Sequence, residues 1–260
     1  MTKRIDLNSD MGEDFGSWLI NGNIDREIMS FISSANIAAG FHAGDPTVMR
    51  KTIEMAKYYG VAIGAHPGYR DLMGFGRRHI AMQPDELVND IIYQLGALRE
   101  LARLYQMELQ HIKPHGALYM HLAQEAASAH CFVEALHRIA PGLLLYCMHG
   151  TAVWRAAQSV QHPVICEFYA DRDYDQSGSI VFTRRVGALD PDEVAQKVLR
   201  ACRDGVVRTV EGEDIPIVFE SVCMHSDTPG AQGLLKATCE LLKSSSIEIT
   251  APGKQRMFQK

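Results

Sequence analysis

Five of the eleven histidines, His42, His66, His115, His149 and His225, come directly after short apolar runs of strand type. Charged and amide side chains gather at the same points. Asn8, Asp10 and Glu13 follow the first run, and Asp45 comes soon after His42. Glu167, Asp171 and Arg172 fall at the sixth run, and Asp227 at the seventh. Imidazoles change charge near neutral pH and so suit proton transfer. The densest group is "HIKPHGALY", which sets Lys113 and His115 on either side of Pro114. Proline biases Lys113 towards an extended backbone, and residues two apart on a strand share a face, so both can address one substrate. A lysine held among histidines loses hydration and shifts its pKa, which suits proton transfer or anion binding.

The bland readings differ in strength. Asp45 precedes Pro46 and Asp227 lies close before Pro229, so either can cap a helix, which does not exclude substrate contact. His149 has no charged companion nearby and is read as structural. His121, His130, His137 and His162 are read as ordinary surface residues.

These residues need elements to hold them. Strands are expected at Ile5–Asn8, Ala35–Ala38, Val61–Ala65, Leu109–Lys113, Leu143–Met148, Val164–Phe168 and Ile217–Met224. Between them run helical patterns, clearest at Pro84–Tyr105, where Leu87, Ile91, Leu95, Leu98, Ala102 and Tyr105 recur at spacings of four and three. Asp190-Pro191-Asp192-Glu193 opens another with a cap and a capping-box glutamate. Alternating strands and helices imply parallel strands. The fold class is α/β: seven units with no linker favour a single (β/α)-type barrel domain over residues 1–260, irregular and seven-stranded. A doubly wound open sheet is the rival. In a parallel barrel the active site lies at the C-terminal strand ends, where the polar residues fall. Two long loops interrupt the rhythm: "HPGYRDLMGFGRRH", and Ala170 to Asp190. The second reads as a flap with a turn at Gln176-Ser177-Gly178 and an extra strand at Ile180–Phe182.

Bulk properties narrow the function. With 260 residues, 47% of them hydrophobic, the chain can bury a large core. Net charge is −5 with no basic tract, which argues against nucleic acid. No apolar run approaches a membrane span, and the opening "MTKRIDLNSD" has no signal-peptide apolar stretch. Six cysteines without a CxxC pair suit buried thiols in the cytoplasm. A GxxxxGK[ST] phosphate loop, a GxSxG elbow and an HExxH helix are all absent from the sequence, and "GFGRRH" only half resembles a dinucleotide fingerprint.

Six motifs in order, "DLNSDMGEDFG", "ANIAAGFHAGDP", "GAHPGYRDLMGFGRR", "HIKPHGALY", "ADRDY" and "CMHSDTPGA", resemble the LamB/YcsF family, known as the A-type subunit of 5-oxoprolinase, from Ile5 to about Ala251. The resemblance implies a seven-stranded barrel related to glycoside hydrolase and deacetylase barrels. It also implies ATP-dependent opening of 5-oxoproline to L-glutamate with two further subunits, which would handle ATP. Ala39 replaces a usual cysteine, Ser226 the glycine of HGD, and Tyr169 a commoner phenylalanine.

Hydrolysis of a lactam amide needs a water nucleophile, a general base and stabilisation of a developing oxyanion. The catalytic set expected is Asp10, His66, Lys113 and His115, with Asp10 or His115 as base and Lys113 and the histidines on the anion. Substrate binding is expected from Asn8, His42, Asp45, Arg78, Asp171, Arg172, His225 and Asp227. Arg78 and Arg172 are the natural clamps for carboxylate or phosphate. One rival is a metal-dependent deacetylase-like hydrolase, with Asp10 and His42, His66 or His115 holding a divalent ion. Another is a non-catalytic binding subunit of the same complex. A homo-oligomer is compatible with either.

Overall fold

The first strand shows how the barrel is built. In β1 (Lys3–Met11) every residue from Ile5 onward is buried. Successive side chains on a strand take opposite faces. Asp6, Asn8 and Asp10 bond to partners across the lumen, whereas Ile5, Leu7 and Met11 join the hydrophobic core. The barrel is therefore polar inside and apolar outside, where the helices pack. The computed structural model describes residues 3–18, 24–181 and 187–253.

The strands are β1, β2 (Ser34–Ala38), β3 (Ala62–His66), β4 (Leu109–Ile112), β5 (Leu144–Cys147), β6 (Val164–Tyr169), β7 (Val206–Arg208), β8 (Asp214–Pro216), β9 (Ser221–Cys223) and β10 (Ile247–Ile249). Parallel pairing runs β1-β2-β3-β4-β5-β6-β9 and returns from β9 to β1, through Asp6↔Ser221, Leu7↔Val222 and Asn8↔Cys223. That return closes a seven-stranded barrel and removes the open-sheet alternative. β10 lies outside the ring, parallel to the start of β1 through Lys3↔Ile247 and Ile5↔Ile249.

The helices are α1 (Ile24–Ile28), α2 (Pro46–Tyr59), α3 (Pro84–Leu104), α4 (Gly116–Gln124), α5 (Ala126–Ile139), α6 (Ala152–Ser159), α7 (Pro191–Asp204) and α8 (Ala231–Ser244). In α3 the expected stripe Leu87, Ile91, Leu95, Leu98 and Ala102 is buried. Asp190 caps α7 by accepting from the backbone of Asp192 and Glu193. Among the described residues no helix is long and apolar enough to cross a membrane, and all six cysteines are free thiols.

Four strands, β7, β8, β9 and β10, differ from expectation. The run Ile217–Met224 supplies only Ser221–Cys223 to the barrel. The residues before it are drawn outward, since Asp214–Pro216 pairs antiparallel with Val206–Arg208 and Val218 stays 52% exposed. β7, β8 and β10 are three residues each, too short for hydrophobic periodicity to reveal. In the flap Gly178 turns at φ +80°, and Tyr174 bridges Ile180. Phe182, expected in the extra strand, lies outside the described residues.

Candidate active site at the C-terminal mouth

Lys113 follows the last residue of β4 and is 1% exposed. Its Nζ donates to Asp10 Oδ1 at 3.0 Å, Asn8 Oδ1 at 3.2 Å and Cys223 Sγ at 3.0 Å, and lies 2.9 Å from Glu167 Oε1. An ammonium carries three protons, so these partners occupy all of them. Burial penalises the Lys113 charge, yet Asp10 and Glu167 outweigh it and hold the pKa well above the usual lysine value. Burial holds the Cys223 thiol well above its ordinary range, so it meets Lys113 as a neutral acceptor. Asp10 is also buried, but its neighbours His66 and Lys113 overcome desolvation and hold it well below the ordinary carboxylate range. Asn36 steadies this floor by donating to Asn8 Oδ1 and Asp10 Oδ1, both at 2.8 Å.

Above the floor are two histidine groups. On one side His66 Nε2 lies 2.9 Å from His115 Nδ1 and 3.4 Å from Asp10 Oδ2. Glu13 Oε1 lies 3.2 Å from His115 Nδ1 and 3.1 Å from His42 Nε2. Burial outweighs the nearby Glu13 and pushes His42 down to about 3, so that ring is neutral. The loop after β3 folds over these rings only because Gly76, at φ +62°, has no side chain: a Cβ there would sit 2.7 Å from His115 Cδ2. On the other side Asp171 Oδ1 accepts from His225 Nδ1 at 3.0 Å. Its Oδ2 accepts from His225 N at 3.0 Å and Thr228 Oγ1 at 2.5 Å. Burial opposes the Asp171 charge, but His225 and Arg172 overcome it and keep the carboxyl well below its usual range. His225 Nε2 then points across the mouth, 3.7 Å from Asp10 Oδ2.

Between the groups opens a pocket lined by Asp10, His66, Lys113, His115, His225, Tyr119, Tyr169, Arg77 and Arg172, with Ile180 and Val181 of the flap. Arg77 NH2 donates to Asp227 Oδ2 at 2.5 Å, and Arg172 NH2 lies 3.9 Å from Asp227 Oδ1. Arg172 also pairs with Asp171 Oδ2 at 3.0 Å, and the two guanidiniums set planar donors at the rim, suited to a carboxylate or phosphate. Two groups of donor atoms each lie within 4.8 Å: Glu13, His42, His66 and His115, and Asp10, Cys223 and His225. The first set, two or three imidazoles with a carboxylate, fits a transition-metal ion.

The structure thus gathers Asp10, His66, Lys113, His115, Arg172 and His225 around one pocket, with Asn8 and His42 behind its wall and Asp171 and Asp227 bracing its arginines and His225. Two expected residues lie elsewhere. Arg78 is 62% exposed and pairs with Asp71; its neighbour Arg77 faces the pocket instead. Asp45 caps α2, accepting from the backbone of Thr47, Val48 and Gly16, and does not line the pocket. His149 is exposed against Trp154, outside the site. His162, read as a surface residue, is 3% exposed against His137. Arg77, Tyr119 and Tyr169 line the pocket without an expected role, and Glu13 and Glu167 are expected only as polar residues near strand ends. Spacing held a signal for some of them: Glu167 and Tyr169 are two apart on β6, and Tyr119 is four after His115 on α4.

A family model described as LamB/YcsF matches residues 5–257. The chain belongs to the LamB/YcsF family. This LamB/YcsF protein is 66% identical over 248 residues to a Pseudomonas aeruginosa protein named as the first of its A-type 5-oxoprolinase subunits, covering 95% of this chain and 98% of that one. It is 62% identical over 249 residues to the second such protein of Pseudomonas syringae, covering 96% and 99%. Among solved structures, the lactam utilization protein of Thermus thermophilus superposes with a TM-score of 0.89 at 36% identity, covering 95% of this chain and 99% of that one.

Proposed function

We propose that this chain is the ring-opening subunit of an ATP-dependent 5-oxoprolinase, hydrolysing the lactam amide of 5-oxoproline to L-glutamate together with two further subunits. Relatives at 66% and 62% identity are named as 5-oxoprolinase subunits, which supports the reaction and the complex. The sequence has no phosphate loop, so ATP is assigned to the partners. Free thiols throughout suit a cytoplasmic setting.

The observation that carries the reading is the Asp171–His225 pair beside Asp10 on the pocket wall. Asp171 holds the proton on His225 Nδ1 and leaves Nε2 as the base, the role an orienting carboxylate plays in hydrolytic triads. His225 therefore takes the general-base role, ahead of Asp10 and His115, because a carboxyl held as low as Asp10 is a weak base at neutral pH. His225 removes a proton from water as the water oxygen bonds to the lactam carbonyl carbon. The C–N bond then breaks, and the same proton passes to the departing ring nitrogen. Arg172 and Arg77 hold the substrate carboxylate, or the phosphate of a lactam activated by the partners. Lys113, fully occupied by its neighbours, fixes Asp10 and the floor rather than touching the oxyanion.

The test mixes this chain with its partner subunits, 5-oxoproline and ATP, and follows glutamate release. Release should require all components and collapse in His225→Ala. Unchanged release by that variant would remove His225 from the mechanism, and release without this chain would remove the reading itself.

A further inference from the structure

The ring-opening scheme leaves Glu13, His42, His66 and His115 without a task, though each is buried at 3% exposure or less. Their hydrogen bonds fix where the protons are. His66 Nδ1 lies 2.7 Å from the carbonyl oxygen of Lys113, and a carbonyl only accepts, so Nδ1 carries the hydrogen. His115 Nε2 lies 2.8 Å from the carbonyl oxygen of Phe75, so Nε2 carries the hydrogen there. In the neutral rings His66 Nε2 and His115 Nδ1 are then bare lone pairs. They face each other at 2.9 Å. Glu13 Oε1, itself an acceptor, is 3.2 Å from the second and 3.9 Å from the first. The two ring lone pairs converge with the Glu13 carboxylate in a buried space, and neither ring has a hydrogen to offer the other, an arrangement that repels unless a cation sits among them.

We propose that Glu13, His66 and His115 bind a divalent transition-metal ion of the zinc class at the pocket wall. Ring nitrogens backed by carbonyl acceptors on the far side are the usual support for metal-ligating histidines. An ion with bonds of about 2.05 Å to four tetrahedral donors spaces them about 3.3 Å apart, and the three measured separations lie on either side of that value. Two imidazoles with one carboxylate select zinc, cobalt, nickel or iron over magnesium and calcium, which prefer all-oxygen sites. His42 stacks parallel to His115 at 3.7 Å, so both rings cannot point at one ion in their own planes. It acts instead as a positioning residue that holds Glu13 through Nε2 at 3.1 Å. The proposal stands apart from the lactam reading, because it concerns binding by this chain alone.

The experiment strips the full chain with a chelator and titrates it with Co2+, following visible absorption and metal content. One Co2+ per chain, displaced by Zn2+ and accompanied by a higher unfolding temperature, is the expected result. Glu13→Gln and His66→Ala should weaken Co2+ binding by at least about 100-fold, while His149→Ala leaves it unchanged. The rival occupant is a proton shared between His66 and His115. It would appear in the nitrogen NMR spectrum of the native chain as an imidazolium insensitive to Zn2+, a readout needing no variant. That spectrum, absence of saturable Co2+ binding, or full binding retained by folded Glu13→Gln would each overturn the proposal.

Discussion

The barrel lumen holds two buried polar clusters with opposite bookkeeping. At its foot Asp6 accepts from Ser33 and Ser34 hydroxyls at 2.6 and 2.7 Å, from Tyr146 at 2.9 Å and from Ser221 at 2.5 Å. Burial still raises the Asp6 pKa above the ordinary value, but every lone pair it needs to satisfy is met by a hydroxyl. At the mouth, acceptors face acceptors, and two buried atoms, Glu167 Oε2 and His42 Nδ1, lack a hydrogen-bond partner among the described residues. Asp6, Glu167 and His42 are all buried, so burial alone does not tell the regions apart. Satisfaction does: a saturated network holds a shape, and an unsaturated one is set up to receive something.

The contrast can be broken most severely at His225. His225→Ala should cut glutamate release by the assembled complex about 10²–10⁴-fold, the usual worth of a positioned general base, with the fold intact by circular dichroism. Next comes Lys113→Met. From the sequence, a strand-end lysine facing the mouth is expected to tolerate this change with little loss of stability. Buried between Asp10 and Glu167, it leaves two carboxylates without their cation, so unfolding free energy should drop by about 3–5 kcal/mol in denaturant titrations. Tyr146→Phe, at the saturated foot, should cost about 2 kcal/mol through one lost donor to Asp6, with turnover nearly normal. If instead it abolished turnover at normal stability, the foot would belong to the site.

Acid should act through His111, whose pKa burial and Lys113 push down to about 3. The unfolded chain takes up this proton below about 6.5 while the folded chain refuses it until about 3, so stability falls as pH drops through that window. The slope should reach up to about 1.4 kcal/mol per pH unit from this group, and His111→Gln should flatten it in melting curves taken between pH 7 and pH 5. The smallest effect belongs to Arg78→Ala, which should leave turnover within about twofold of normal, as expected of a surface change. Arg77→Ala, by contrast, should raise the KM for 5-oxoproline.

Much of this was legible because strand ends advertise themselves. His42, His66, His115 and His225 each follow an apolar run, and in a parallel barrel that position carries them towards one mouth, although His149, placed alike, turns out to meet Trp154 instead. Side-chain direction was not legible. Arg77 and Arg78 are adjacent, and only the turn of the loop around Gly76 decides that the first faces inward while the second meets Asp71. Asp45 looked like a ligand and a cap at once; the fold of α2 selects the cap. Glu13 sits three residues past Asp10, beyond β1, so no strand periodicity links it to the histidines it meets.

The pairing of β1 has a consequence for synthesis. Its first residues lie against β10 and its middle against β9, and Arg4 meets Glu248 across 244 positions of chain. β1 is therefore completed by strands made long after it. At common elongation rates of 5–20 residues per second, the segment from β1 to β9 takes roughly 10–40 s to emerge. Throughout that interval β1 presents an unpaired edge, and the ring cannot shut. Contacts so distant in sequence also make closure slow once the chain is free. The seam between β9 and β1 is thus where a nascent chain most needs protection, and where a chain shortened before Ser221 would remain permanently open.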